Sequence, residues 1–171
     1  MIVKTPYDSG LTLILFYREI AMLSPVQVND YVNLKIRSKQ EPPDKDEWQT
    51  PAQTISRRTG DCEDYSILKY FILRELEYKA SILTVNLRSY GPHVLTALYH
   101  NGDVWLLDNI ATEIVKFSDR YCPTGDIDRV RFESTVGGTK NDPRFNNMLQ
   151  RLEGLDYNRK EILAFIREAE L

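Results

Sequence analysis

Asn101-Gly102 stands between two short runs, Val94–Tyr99 and Val104–Leu107, both rich in β-branched, aromatic and leucine residues. An Asn-Gly pair flanked in this way favours a two-residue turn with both central residues at positive φ, which ties the runs into an antiparallel hairpin. A third run, Ile82–Leu87, precedes them across the turn signal Tyr90-Gly91-Pro92, and Thr112–Phe117 and Arg129–Glu133 are two weaker strand candidates. The middle of the chain is therefore predicted to be an antiparallel meander.

On either side the apolar period changes from alternation to helical spacing. Leu11, Ile14, Leu15, Tyr17, Ile20 and Leu23 predict a first helix, with Ser9 or Asp8 as its cap and Ser24-Pro25 as its end. A second helix is predicted over Val26–Arg37, turning Val28, Tyr31, Val32 and Ile36 inward. Ser38–Lys45, with Pro42-Pro43, reads as a surface loop, and Thr50-Pro51 opens a short helical segment. Thr59-Gly60-Asp61 then turns into the strongest helix, Cys62–Leu76, whose apolar face is Ile67, Leu68, Phe71, Ile72 and Leu76. Gly137-Gly138 and Asn141-Asp142-Pro143 are loop material, and helices near Arg144–Leu152 and Arg159–Glu170 close the chain. Helices, then a meander, then helices again predict an α+β domain with its helices on one face of the sheet.

The 171 residues are 42% apolar and 27% charged, which fits a single globular domain over 1–171 and excludes a disordered or coiled-coil chain. A net charge of −3 lacks the basic excess of a nucleic-acid binder. Leu11–Leu23 is too short to span a bilayer and contains Arg18 and Glu19, so no membrane span is expected. No export signal is seen in the opening residues, which predicts a cytoplasmic location for the chain as written and a periplasmic one only for a trimmed chain. The two cysteines, Cys62 and Cys122, lack C-x-x-C spacing, which argues against a disulfide scaffold or zinc knuckle.

The chemistry-bearing residues sit at the ends of predicted elements. Cys62 begins the strongest helix, where free N–H groups and the helix field favour a thiolate. His93 begins one strand of the hairpin and Asp108 ends the other, so antiparallel pairing brings them side by side. In that arrangement the histidine takes the thiol proton and returns it to a leaving amine, while the aspartate fixes its tautomer. Cys122 and His100 fall outside the arrangement, Cys122 being read as structural and His100, beside the hairpin turn, as exposed, while Trp48 and Tyr65 are read as packing.

Trp48-Gln49-Thr50-Pro51, Gly60-Asp61-Cys62-Glu63-Asp64-Tyr65, Lys69-Tyr70, His93-Val94-Leu95 and Leu107-Asp108-Asn109 resemble the bacterial transglutaminase-like cysteine proteinases. The resemblance spans Trp48 to Asn109. It implies a papain-like, transglutaminase-like core, a polypeptide substrate, and a triad of Cys62 as nucleophile, His93 as general base and Asp108 as orienting acid. It also bears on a conflict of charge, because Asp61, Glu63 and Asp64 repel a thiolate at Cys62 and a bound cation such as Ca²⁺ would relieve that repulsion. Calcium sites of the family map onto Asp61 and Glu63, whereas the further upstream acid of some relatives is replaced by Thr59. Two other readings remain open at this level: a transglutaminase-type acyl transferase using the same triad, and a non-catalytic binding module that keeps the fold.

Overall fold

The computed structural model describes residues 23–87, 91–111, 113–117, 127–131, 143–152 and 155–170. Helix α1 (Pro25–Lys35) starts on a reciprocal cap: Ser24 Oγ accepts from the Gln27 N–H at 3.2 Å, and Gln27 Oε1 accepts from the Ser24 N–H at 2.8 Å. Helix α2 (Pro51–Arg57) repeats the device with Thr50 and Gln53, again with proline at the first helical position. Helix α3 (Cys62–Glu75) follows, and helices α4 (Pro143–Arg151) and α5 (Leu155–Arg167) lie near the end. The predicted helix ending at Leu23 lies outside the described residues, as do Cys122 and Gly137-Gly138.

Two short segments differ from expectation. Arg37–Ser38, assigned by the sequence to a helix end and a loop, is strand β1, and Thr59–Gly60, assigned to a turn, is strand β2. They pair in parallel, with the Arg37 N–H donating to Arg58 O at 2.9 Å and the Lys39 N–H to Gly60 O at 2.8 Å. Such a pair links residues far apart in sequence and is too short for any alternation to announce it.

The main sheet contains β3 (Lys79–Leu87), β4 (Gly91–His100), β5 (Asp103–Leu107), β6 (Val115–Lys116) and β7 (Ile127–Arg131), all antiparallel, in the order β6-β5-β4-β3-β7. The hairpin turn has Asn101 at φ 52° and Gly102 at φ 79°, as an Asn-Gly loop between twisted strands requires. β4 begins earlier than the sequence indicates, taking in Pro92. Proline is tolerated there because β5 pairs with β4 only as far as Thr96↔Leu107, so at Pro92 one side of the strand has no β5 neighbour to serve.

One face of the sheet, with Ile82, Val94, Leu98 and Leu107, packs against Ile67, Leu68, Ile72 and Leu73 of α3, and the same core takes in Val28, Val32, Phe145, Met148, Ile162, Phe165 and Ile166 from the other helices. Leu83, Val85, Leu95, Ala97 and Leu106 form a second buried cluster on the opposite face. Helix α3 is therefore enclosed along most of its length, ten of its residues from Glu63 to Leu73 being buried. The α+β architecture, with a central helix on an antiparallel sheet and flanking helices, is as the sequence predicts.

Gly60, at the entry to α3, is there for space: a Cβ on it would lie 2.6 Å from Asp64 Cβ and 2.8 Å from Asp64 Oδ2. Gly60→Ala is expected to lower stability by about 1–3 kcal/mol, the usual cost of overpacking, measured as a reduced urea midpoint with unchanged slope.

Candidate active site

Residues four and three apart on a helix share one face, and Cys62, Ser66 and Lys69 form such a stripe on α3. Cys62 is the first helical residue and is half-buried. The Val94 N–H of β4 lies against its sulfur. One turn on, the Ser66 hydroxyl is 2.7 Å from Cys62 O and 3.0 Å from Val94 O, its single proton shared between them, while Thr96 Oγ1 donates to Ser66 O at 3.0 Å. The start of the helix is thus fastened to the start of β4, immediately beside His93.

His93 and Asp108 are both buried, and His93 Nε2 meets Asp108 Oδ1 at 2.8 Å. The sequence predicts strands that place them face to face; the register refines this. The pair Thr96↔Leu107, continued one step, sets Asp108 beside Leu95 and one diagonal from His93 on the same side of the ladder. Oδ1 also accepts from the Ile110 N–H at 3.2 Å. Burial pushes the Asp108 carboxyl up, but the bond and charge from His93, the Ile110 N–H and the nearby Lys69 charge outweigh it and hold the group below its ordinary value.

The backbone carbonyl of Asp108 lies past the last ladder pair and is taken by two side chains. Lys69 Nζ donates to it at 2.9 Å and Asn33 Nδ2 at 2.9 Å. Lys69 is 0% exposed, and its Nζ also donates to Asn29 Oδ1 at 2.8 Å. Burial brings its pKa down to about 7, against the upward pull of Asp108 and Asp30. Among the residues the sequence sets aside as packing, Tyr65 is buried and donates to Ile36 O, and Trp48 is buried edge-on against Phe145, their ring centres 6.1 Å apart.

Beside the sulfur stands a group of acids. Asp46, Asp61 and Glu63 each bring a carboxylate oxygen within 4.8 Å of the others. Asp61 and Glu63 flank the cysteine in sequence; Asp46 comes from the loop before α2, and no local spacing could have pointed to it. Asp46 also pairs with Arg144 of α4, at the rim of a cavity of about 590 Å³ lined by Glu47, Trp48 and Arg151. Burial first, then a proton shared with Asp46 and the charge of Asp61, push Glu63 up to about 10, and burial with the charges of Asp46 and Glu41 raises Asp61. Burial and the charge of Glu63 also push the Cys62 thiol up, and its Sγ lies 3.2 Å from Glu63 Oε2. Three hard oxygen donors in like-charge conflict have the chemistry of a divalent-cation cradle. Asp64 is apart from this set: its carboxylate accepts from the Gln49 N–H at 2.8 Å, from Gln49 Nε2 at 2.6 Å and from the Asp61 N–H at 3.2 Å, so its task is to hold the loop on the helix start.

Over residues 15–122 the sequence matches the family described as bacterial transglutaminase-like cysteine proteinase. The chain belongs to that family. It is a transglutaminase-like cysteine protease, and its family implies a protein substrate. A comparison with curated proteins finds no match. Among solved structures, Legionella pneumophila LapG in an EGTA-treated form is similar in fold with a TM-score of 0.62 at 20% identity, covering 81% of this chain and 84% of that one. The calcium-bound form of L. pneumophila LapG gives 0.60 at 19% identity, covering 81% and 86%. Among the described residues, no helix of the proteinase is long and apolar enough to cross a membrane.

The acid group has a measurable consequence. With Glu63 raised from 4.5 to about 10, the folded protein keeps a proton that the unfolded chain loses across that window, so stability falls as pH rises through it. In the presence of a chelator, the urea midpoint is expected to drop between about pH 5 and about pH 7, where Asp64, raised to about 7, adds to Glu63, and to level off above that, where the lowered Lys69 works in the opposite sense; Glu63→Gln is expected to reduce the drop.

Proposed function

We propose that this proteinase hydrolyses polypeptide chains through a thioester acyl-enzyme, with Cys62 as nucleophile, His93 as general base and Asp108 as the acid that orients it. The observation that supports this most is the buried 2.8 Å bond between His93 Nε2 and Asp108 Oδ1 at the strand start that abuts the Cys62 end of α3. With Nε2 held by the carboxylate, Nδ1 is the nitrogen that exchanges protons with the thiol.

In the forward step the imidazole takes the thiol proton as sulfur adds to the scissile carbonyl carbon. The tetrahedral species collapses, the C–N bond breaks, and the imidazolium hands its proton to the departing amine. Water then adds to the thioester, the imidazole takes its proton, the C–S bond breaks, and the thiol is restored with release of a carboxylate. Asp108, held ionised, stabilises the imidazolium in both halves.

The acids beside Cys62 oppose the anionic sulfur. A Ca²⁺ ion held by Asp46, Asp61 and Glu63 would supply countercharge to them. The donor set and the calcium-bound form of the similar LapG fold support this reading.

Incubation with a peptide electrophile, followed by mass mapping, is expected to mark Cys62 rapidly at neutral pH, and His93→Ala to abolish that marking. Cys62→Ala is expected to lose turnover with an unchanged melting curve. Asp108→Asn is expected to lower kcat by about 10⁴-fold, the size seen when a triad loses its orienting acid. Full activity of Cys62→Ala would remove the mechanism, and capture of an added amine as an amide in place of a new carboxylate would move the assignment to acyl transfer. Chelation is expected to slow labelling of Cys62, with Ca²⁺ restoring it; identical rates with and without the ion would remove the cation from the reading.

A further inference from the structure

A lysine with no exposed surface is costly to bury, and among the described residues Lys69 forms no direct ion pair: its Nζ goes to two neutral oxygens, Asn29 Oδ1 at 2.8 Å and Asp108 O at 2.9 Å, with the Tyr65 ring 5.8 Å away. A methionine or leucine of similar volume would avoid the cost of the charge and fill the same core space, but would donate to neither oxygen. The reason for a lysine therefore lies in what the ammonium holds.

It holds Asp108 at a weak point of the sheet. The β4–β5 ladder ends at Thr96↔Leu107, so the ladder does not fix the backbone of Asp108. Its carbonyl is instead claimed from two directions, by Lys69 on α3 and by Asn33 on α1, each at 2.9 Å. Asn29, one turn before Asn33 on α1, orients the ammonium. Rotation of the peptide plane at Asp108 would break both bonds, and it would also swing the carboxylate off His93.

We propose that Lys69 and Asn33 are positioning residues of the peptidase: by clamping the Asp108 carbonyl to helices α3 and α1 they fix the Asp108 carboxylate on His93 Nε2. This rests on the triad reading given above. Lys69 also lies seven residues after Cys62 on one helical stripe, so the group that clamps the acid and the sulfur are carried by the same rigid element.

The test compares Lys69→Met and Asn33→Ala with the parent by three measurements: peptide kcat and KM, thermal melting, and the downfield proton resonance of His93 Nε2–H recorded in a Cys62→Ala background. Lys69→Met is expected to melt near the parent temperature, relief of the buried charge being set against loss of the donor to Asn29 Oδ1, and to lose kcat by about 10–100-fold, the range for a partner that orients a functional side chain, with KM essentially unchanged. Its His93 resonance is expected to shift upfield or broaden, and Lys69→Gln, which restores a neutral donor, to recover part of both signals. A Lys69→Met protein with parental kcat and a parental resonance overturns the proposal. Should Lys69→Met fail to fold, Asn33→Ala decides, since it removes the other donor without stranding a buried charge: parental kcat and resonance overturn the clamp, and a fall in kcat at constant KM supports it. The resonance requires no turnover. A changed resonance in a protein whose Cys62→Ala variant is still active would therefore discard the triad and leave the clamp, whereas an unchanged resonance with an inactive Cys62→Ala would do the reverse.

Discussion

The fastening of α3 to β4 is the interaction from which the rest of the site takes its geometry. Ser66 lies between the carbonyls of Cys62 and Val94, and Thr96 returns a bond to Ser66 O, so the helix start and the strand start cannot slide past one another. Packing of Ile67, Leu68, Ile72 and Leu73 against the sheet makes that junction stiff, because interiors of this density deform little. The sulfur, the imidazole and the carboxylate come from three elements, and each is placed by backbone that is itself held.

The site is also a place where two electrostatic demands oppose each other. The first turn of a helix welcomes acids, and Glu63 and Asp64 meet that preference, yet burial of Glu63 together with Asp61 and Asp46 raises carboxyl and thiol pKa values alike. Asp64 shares in the conflict, pushed up to about 7 by burial and by the charge of Asp61, although the bonds from Gln49 and the Asp61 N–H pull it the other way. A sequence that keeps acids in this position despite the cost to the thiolate is behaving as functional sites commonly do, accepting local strain where the rest of the fold can carry it.

What could be read from the sequence was local. Asn101-Gly102 carried the hairpin, and the hairpin alone was enough to bring His93 and Asp108 to neighbouring strand ends. Helical spacing carried α3 and its first residue, Cys62. What could not be read depended on distant pairing: β1 with β2, β7 beside β3, and Asp46 reaching the acids that flank Cys62. Lys69 was visible within a family motif, but its purpose became legible only with the Asp108 carbonyl in view, since no spacing relates residue 69 to a backbone atom on another element. The early start of β4 was hidden for a different reason, proline being a poor strand residue except where one flank is unpaired.

The clamp on the Asp108 carbonyl joins residues from α1, α3 and the far end of the β4–β5 hairpin, a span of 75 positions between Asn33 and Asp108. Closing a loop of that length costs chain entropy that no local contact repays, so the clamp depends on the packing of all three elements. Under the proposed triad, loosening of any one of these three elements would therefore be felt at the histidine, however far from it the loosening began.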